Sequence, residues 1–242
     1  MMLFVIGGYA YSANNLPILP NGWHVHDMDR PQPVKVDPGA SNADAPSDAT
    51  VLFDGSDLDC WVSAKGGAVP WTLGDGYVEV VPGTANIETK QSFGDMQLHI
   101  EWASPALVEE KAQRRGNSGV FLMGLYEIQI MDAWENPAYP DGMAGAVYGQ
   151  NPALVNAARK PGEWQSYDIV FKAPVFKDGE LESPAYVTIF WNGVLVQNHT
   201  EIYGPTVHRE APPYVAHAEK LPLKLQNHGR PVRFRNVWIR EL

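Results

Sequence analysis

MQLHIEW, residues 96–102, alternates apolar and polar side chains without a break. Successive side chains of an extended strand point to opposite faces. The apolar residues therefore share one face, while Gln97, His99 and Glu101 share the other. A period of two is typical of a strand that packs one face on a core. The stretch thus predicts an antiparallel sheet.

The same period recurs along residues 51–242. It is found in YEIQIMD (126–132), WQSYDIVFKA (164–173), AYVTIFWNGVLVQ (185–197) and PVRFRNVWIREL (231–242). Asn192-Gly193 is the strongest two-residue hairpin signal in the chain. One short helix is predicted over 152–159, where it begins at a proline. The many short strands predict an all-β fold, an antiparallel two-sheet jelly-roll sandwich of the concanavalin A-like type.

The first residues differ from the rest in composition. Residues 1–20 open with the apolar run MMLFVIGGYAYSA, which is like the hydrophobic part of a signal peptide although no basic residue precedes it. We therefore expect a leader, and favour a periplasmic or secreted location over a cytoplasmic one. Residues 21–48 are predicted to form an extended arm, and residues 49–242 a single jelly-roll domain.

The arm contains a weak metal-binding pattern. His24 and His26 alternate with Val25, which would place both imidazoles on one face of an extended strand. With Asp27 or Asp29 they could hold a metal ion, although exposed polar groups are the simpler interpretation.

Composition excludes several classes of function. The net charge is −10, from 28 acidic and 18 basic residues, so no nucleic-acid partner is expected. No apolar run after the first residues is long enough to span a membrane. Cys60 is the single cysteine, so no internal disulfide forms and a structural thiol is expected. Motifs for nucleotides, zinc ribbons, metalloproteases and serine hydrolases are absent.

Three predicted strands carry hydrogen-bonding and charged groups on the face away from the core. These are His99 and Glu101, Glu127 and Gln129, and Lys224, Gln226 and His228. Arg115 and Asn117 precede the strand that leads into YEIQIMD. Amides and imidazoles two residues apart suit the hydrogen bonding of hydroxyl groups. A carbohydrate-binding face is therefore favoured over a solvated surface.

Several longer motifs occur in a fixed order. They are RGNSGVFLMGLYEIQIMD (115–132), GAVYG (145–149), PGEWQSYDIVFKAP (161–174), WNGVLVQN (191–198) and LKLQNHGRPVRFRNVWIREL (223–242). Together they resemble the 3-keto-disaccharide hydrolase family over roughly residues 51–242. The resemblance implies a concanavalin-like jelly roll acting on glycosides already oxidised to a ketone at C3. The chain departs from the family at Met123-Gly124-Leu125, where an arginine is more usual, so one basic contact is missing.

A 3-keto sugar explains the residue types. The ketone acidifies the neighbouring C2–H, so the aglycone at C1 can leave by β-elimination, after which water adds back. The reaction needs a base, a stabiliser for the enediolate oxygen and a proton donor to the leaving oxygen.

The resemblance suggests a role for each candidate residue. Glu127 or His228 is the base, Lys224, Arg115 or a bound cation stabilises the enediolate, and Tyr148 protonates or stacks on the leaving group. Gln129, Gln226 and Asn117 hold hydroxyls, and His99, Glu101 and Asp132 complete the substrate-binding set.

A divalent cation is a further possibility. It would act as a Lewis acid at the C3 carbonyl, or as a structural Ca²⁺ held by Asp141, Glu135 and Asp178 in loops.

Two other functions compete with this interpretation. A non-catalytic carbohydrate-binding module needs no base. A conventional glucanase needs two carboxylates flanking the bond, for which Glu127 and Glu101 are the candidates. The strand YEIQIMD carries one Glu where a glucanase of this fold would show ExDxE, which argues against that class.

Overall fold

The computed structural model describes residues 16–108 and 110–242. Contacts divide the chain into two compact units, residues 1–36 and 37–242. Residues 1–15 of the predicted leader lie outside the described part of the chain. No helix among the described residues is long and apolar enough to cross a membrane.

The described part of the first unit is a small turn structure. Ile18 and His24 form an isolated bridge, and the Nδ1 atom of His24 lies 2.8 Å from the carbonyl oxygen of Leu16. His26 has a positive φ of 58°, so the backbone leaves the extended conformation there. The prediction that His24 and His26 share one face of a strand is therefore wrong.

The second unit is built from fifteen strands in the described residues. They are β1 Thr50–Phe53, β2 Trp61–Ser63, β3 Thr72–Leu73, β4 Val78–Glu79, β5 Ile87–Phe93, β6 Met96–Ala103, β7 Ser118–Leu122, β8 Tyr126–Ile130, β9 Gln165–Lys172, β10 Val175–Lys177, β11 Glu180–Ser183, β12 Tyr186–Trp191, β13 Val194–Glu201, β14 Leu221–Leu225 and β15 Arg233–Glu241. The alternating stretches of the sequence all become strands. Asn192 and Gly193 both have positive φ, 52° and 79°, as a two-residue hairpin turn requires.

The strands form two large sheets, paired antiparallel throughout. The eight-stranded sheet has the order β13-β12-β9-β6-β15-β4-β3, with β1 also paired to β15. The five-stranded sheet has the order β2-β5-β14-β7-β8, and β10 and β11 form a separate hairpin. The jelly-roll sandwich predicted from the sequence is confirmed.

The core lies between the two large sheets. Trp102, Tyr167 and Trp191 of the larger sheet are almost fully buried. Across the core, Tyr126 of β8 contacts Phe171 of β9 with ring centroids 6.0 Å apart. The Tyr167 hydroxyl donates a 2.8 Å hydrogen bond to the carbonyl oxygen of Gln129 on β8. This bond connects β8 to the larger sheet.

The helix predicted over 152–159 does not form. The Leu154 N–H donates instead to the Val196 carbonyl at 2.9 Å. The Asn156 side chain donates to the Ala133 carbonyl at 2.9 Å. Contacts with other parts of the fold therefore replace the local helical bonds, because tertiary contacts override a weak propensity.

Residues 37–48 lie on the outer face of the eight-stranded sheet. Asn236 and Trp238 both donate side-chain hydrogen bonds to the Ala43 carbonyl, at 2.9 and 3.0 Å. Arg240 bonds the Asp48 carboxylate at 2.6 Å. This segment, which we call the cover segment, shields the part of that face around Trp238 from solvent.

Candidate active site

The outer face of the five-stranded sheet carries a row of functional side chains, one from each neighbouring strand. Backbone pairing places Glu88 beside Lys224, Lys224 beside Phe121, and Phe121 beside Glu127. The Tyr148 N–H donates to the Glu127 carbonyl at 3.1 Å, so Tyr148 extends the row past β8. Paired residues of antiparallel strands point to the same face. We call these five residues the central row.

Glu127 is the most unusual member of the row. Glu127 is only 4% exposed, and its carboxylate forms no hydrogen bond or ion pair with the described residues. Burial raises the pKa of the Glu127 carboxyl to about 8, against the opposing influence of Lys224. Buried carboxylates are normally paired, so this one is poised for a ligand or a proton.

A glycine in the next strand makes room for this carboxylate. A Cβ atom at Gly119 would lie 2.4 Å from Oε1 of Glu127, far inside van der Waals contact. Glycine within a strand often marks a close approach of this kind. Gly119 thus lets the Glu127 side chain lie flat against the sheet.

Lys224 lies two strands from Glu127 in the central row, with Phe121 between them, and it is on the same face of the sheet. Its Nζ atom donates to the Gly124 carbonyl at 2.6 Å and lies 4.3 Å from the ring centroid of Phe121. Burial lowers the pKa of Lys224, while Glu127 and Glu88 act in the opposite direction. A half-buried cation of this kind can stabilise a developing oxyanion.

Tyr148 ends the row at a cavity. Its hydroxyl lies 2.9 Å from the Tyr139 hydroxyl and 3.0 Å from Nδ1 of His208. Burial, then the hydrogen bond with Tyr139, raises the pKa of the Tyr148 phenol. The phenol is therefore protonated at neutral pH and can donate.

Gln226 and His228 follow Lys224 along the chain. Oε1 of Gln226 is buried and has no hydrogen-bond partner in the described part of the protein, which leaves an acceptor for a ligand hydroxyl. His228 lies in the loop after β14 and is exposed, so it lacks the desolvation that acts on Glu127.

Four other predicted residues bind protein loops. The Gln129 amide donates to Gln113 and to the Gly142 carbonyl, and the Asn117 amide donates to the Gln113 carbonyl. Arg115 forms an ion pair with Asp132. These contacts hold the loops that form one wall of the site. The amide NH₂ groups of Gln129 and Asn117 are thus bonded within the protein, and a role for these two residues in holding sugar hydroxyls stays a prediction.

His99 and Glu101 belong to the other sheet. They lie on the outer face of β6, where Nδ1 of His99 is 2.6 Å from Asp168 and Glu101 pairs with Arg235 at 2.6 Å. The core separates them from Glu127, so the prediction of one shared binding face is wrong for these two. Alternation along a strand shows which residues share a face, but not which sheet the strand joins.

No group of three or more His, Cys, Asp or Glu side chains converges on a metal position within residues 16–108 and 110–242. Asp141 lies in a short 3-10 turn, Glu135 follows β8, and Asp178 lies in the β10–β11 turn. These three do not fit the predicted structural Ca²⁺ site, and no step below is assigned to a metal.

The structure adds residues that the periodicity did not indicate. Tyr139, Thr206 and His208 lie in irregular loops, where no repeating pattern marks a functional position. Thr206 accepts the Glu127 N–H at 3.0 Å. A signal was present at Gly119, because a glycine interrupts an otherwise regular strand pattern.

Cys60 is half-buried, with its thiol 3.7 Å from the Val51 carbonyl. Burial raises the pKa of this thiol, so its environment does not favour the thiolate that a nucleophile requires.

Comparison with known proteins gives one family. A model of the 3-keto-alpha-glucoside-1,2-lyase-like domain matches residues 48–240. A search among curated proteins finds no significant match.

Solved structures agree with this match. A candidate glycosyl hydrolase from Parabacteroides distasonis is 45% identical, with a TM-score of 0.85, over 94% of this chain and 100% of that one. A second such protein from the same organism is 24% identical, with a TM-score of 0.60, over 86% of this chain and 100% of that one. A third is 22% identical, with a TM-score of 0.56, over 80% and 99%. The second and third similarities concern the fold alone.

Proposed function

The chain belongs to the family of 3-keto-alpha-glucoside-1,2-lyase-like domains and is a carbohydrate-active protein; from this we propose that it cleaves 3-keto-glycosides by β-elimination followed by hydration. The observation that carries the proposal is the buried, unpaired Glu127 carboxyl, with the Lys224 ammonium on the same face of the sheet. A 3-keto sugar supplies what this pair lacks, namely an acidic C–H next to a carbonyl oxygen.

Glu127 is the base in this proposal. Its ionised carboxylate removes the proton from C2, and the C–H electron pair moves into the C2–C3 bond as the C3 oxygen becomes an enediolate. A carboxylate with a raised pKa is a stronger base than an ordinary one, and general base catalysis improves as the pKa approaches the working pH.

Lys224 and Tyr148 complete the first half of the reaction. The Lys224 ammonium stabilises the negative C3 oxygen. When the carbonyl re-forms, the C1–O bond breaks, a C1–C2 double bond forms, and Tyr148 donates its proton to the leaving oxygen. Gln226 Oε1 accepts a hydrogen bond from a sugar hydroxyl.

Water completes the second half. It adds to C1 as hydroxide and gives its other proton to the Tyr148 phenolate. The Glu127 carboxyl, after exchanging its proton with solvent, protonates C2, which releases the free 3-keto sugar. The sum is hydrolysis, although each half step is an elimination or an addition.

The glucanase alternative has no support in the geometry. Glu101 is on the other sheet, and Glu88 is three strand spacings from Glu127, about 14 Å between backbones. Paired carboxylates of glycosidases lie about 5–9.5 Å apart.

Isotope incorporation tests the proposal. Turnover of a 3-keto-disaccharide in D₂O should place deuterium at C2 of the released 3-keto sugar, with and without chelator. Cleavage with C2–H retained would contradict elimination. Equal cleavage of the plain disaccharide would show that the ketone is not needed. Binding of both sugars without cleavage would favour a non-catalytic module.

A further inference from the structure

A cavity of about 510 Å³ opens at the end of the central row, beyond the Tyr148 hydroxyl. It is lined by Tyr139, Asp141, Tyr148, Gly149 and residues 207–211. Its volume falls within the range of small-molecule sites, about 300–1,000 Å³. The elimination scheme uses only the Tyr148 side of this space.

The aromatic wall of the cavity is held in a fixed orientation. Tyr139 and Tyr148 meet edge to face, with ring centroids 6.4 Å apart and an interplanar angle of 67°. A Cβ atom at Gly142 would lie 1.9 Å from the Tyr139 ring, so this ring packs directly against the glycine backbone. Tyr139 nonetheless remains 45% exposed.

The opposite wall is a tight turn. Val207 and Glu210 form an isolated bridge. Arg209 between them has a φ of 62°, a backbone conformation that residues other than glycine seldom adopt. The turn presents Val207, which is 42% exposed, beside His208. An apolar side chain and a ring nitrogen thus face the same space as the two tyrosines.

We propose that this cavity is the leaving-group site and that it takes an aromatic aglycone. The inference rests on the proposed function, since Tyr148 joins the base to the cavity. An aryl ring can stack on Tyr139 and contact Val207, while His208, Asp141 and Arg209 can bond polar groups at its edge. The glycosidic oxygen, which needs a proton as it leaves, then lies at the Tyr148 hydroxyl.

Binding without chemistry tests the site alone. 4-Nitrophenyl glucoside has no ketone and cannot undergo the elimination, so its affinity, measured by calorimetry or ligand-detected NMR, reports only on recognition. The comparison ligands are methyl glucoside, which lacks the ring, and maltose, which carries a sugar in its place. The variants are Tyr139→Ala and Val207→Asp, with Tyr139→Phe retaining the ring and removing the hydroxyl.

Val170→Asp is the matched control. Val170 is 46% exposed on the eight-stranded sheet, close to the exposure of Val207. It lies outside the cavity, so a general effect of an added surface carboxylate will appear in both variants, and a specific effect only in Val207→Asp.

We expect Tyr139→Ala and Val207→Asp to weaken 4-nitrophenyl glucoside about tenfold or more, which corresponds to loss of one aromatic contact. The ratio of aryl to methyl affinity should fall by the same factor, while Tyr139→Phe and Val170→Asp keep the wild-type ratio. An unchanged ratio, an equal loss for methyl glucoside, or no binding of the aryl glucoside by the wild-type protein overturns the inference. An equal loss for maltose overturns the aromatic class.

The two proposals fail separately. Suppose that aryl-selective binding survives in Glu127→Gln and that the wild-type protein places no deuterium at C2. This result would contradict the elimination mechanism and support the aglycone site. Deuterium at C2 with no dependence of affinity on the aglycone removes the site and keeps the chemistry.

Discussion

The outer faces of the two sheets both bury charged groups, but in opposite ways. On the eight-stranded sheet His99 is paired with Asp168 and stacks on Trp238 at 5.4 Å, under the cover segment. On the five-stranded sheet Glu127 is equally buried and its carboxylate has no partner in the described residues. The desolvation of a paired buried charge is offset by its partner, whereas an unpaired one costs stability and marks a candidate functional site.

The pKa values follow this difference. Burial opposes the charge on His99, but Asp168 and Glu101 outweigh it and raise its pKa to about 9. Burial would raise the pKa of Glu101, but His99, Asn236 and Arg235 lower it to about 2. The charged forms of His99 and Glu101 are therefore favoured, while for Glu127 the neutral form is favoured.

The largest effect is expected for Glu127→Gln. Loss of the base should slow turnover of a 3-keto-glycoside about 10²–10⁴-fold and abolish deuterium exchange at C2, with the fold intact. Glu101→Gln is the control on the other sheet and should keep the exchange rate per folded molecule. If His228→Ala, rather than Glu127→Gln, abolishes the exchange, the base is His228 and the comparison fails.

The second largest effect is expected in the dependence of kcat/KM on pH. Because Glu127 acts in its ionised form with a pKa of about 8, kcat/KM should rise about 50-fold between pH 6 and pH 8 and then level off. In Glu127→Gln the residual rate should lack this rise. A wild-type profile already flat at pH 6 would mean that the carboxyl is not desolvated.

The raised pKa of Glu127 should make the stability of the fold decrease as the pH rises, whereas activity increases. The unfolded chain ionises Glu127 near its ordinary pKa of 4.5, whereas the folded chain holds the proton until about pH 8. The ionised carboxylate therefore destabilises the fold progressively between these values. The Tm of Glu127→Gln relative to wild type should increase from pH 5 to pH 8.

His99→Ala should affect stability and leave chemistry alone. Loss of the stack on Trp238 and of the bond to Asp168 should reduce the free energy of unfolding by about 1–3 kcal/mol, with unchanged C2 exchange per folded molecule. Since the pKa of His99 is raised, this contribution is complete below its ordinary value of 6.5 and is lost as pH rises through about 9. Denaturant titrations of the wild type and His99→Ala at pH 6 and pH 9 measure the loss of unfolding free energy and its dependence on pH. An equal loss at pH 6 and at pH 9 would contradict the ion pair.

The smallest effect belongs to Cys60→Ser. The half-buried thiol makes one long contact, so activity should be retained and the change in unfolding free energy should be within about 0.5 kcal/mol. A large loss of activity in a folded variant would reveal chemistry at this thiol that the central row does not explain.

The periodicity of the sequence was enough to predict the strands. It also predicted that Glu127, Gln129, Lys224 and Gln226 lie on the faces of their strands that point away from the core. It could not separate His99 and Glu101 from them, because strand order is decided by long-range pairing that leaves no local pattern. Gln129 was assigned to the right face but not to its actual partners, since the loops that cover it fold back from distant residues. His208 and Tyr139 come from such loops, and only the folded chain brings them to Tyr148.

Gly119 influences the pKa of Glu127 and, under the proposed mechanism, the pH dependence of activity. Gly119 neither titrates nor contacts the substrate in the proposed mechanism, yet the absence of a Cβ atom there leaves the space that the Glu127 carboxylate occupies. An alanine there would turn the carboxylate outward into water, lower its pKa and move the activity range towards acid, at the expense of basicity. Under the proposed mechanism, the pH range of activity therefore depends on the absence of a methyl group at position 119, and one substitution there would shift this range without any change of catalytic residue.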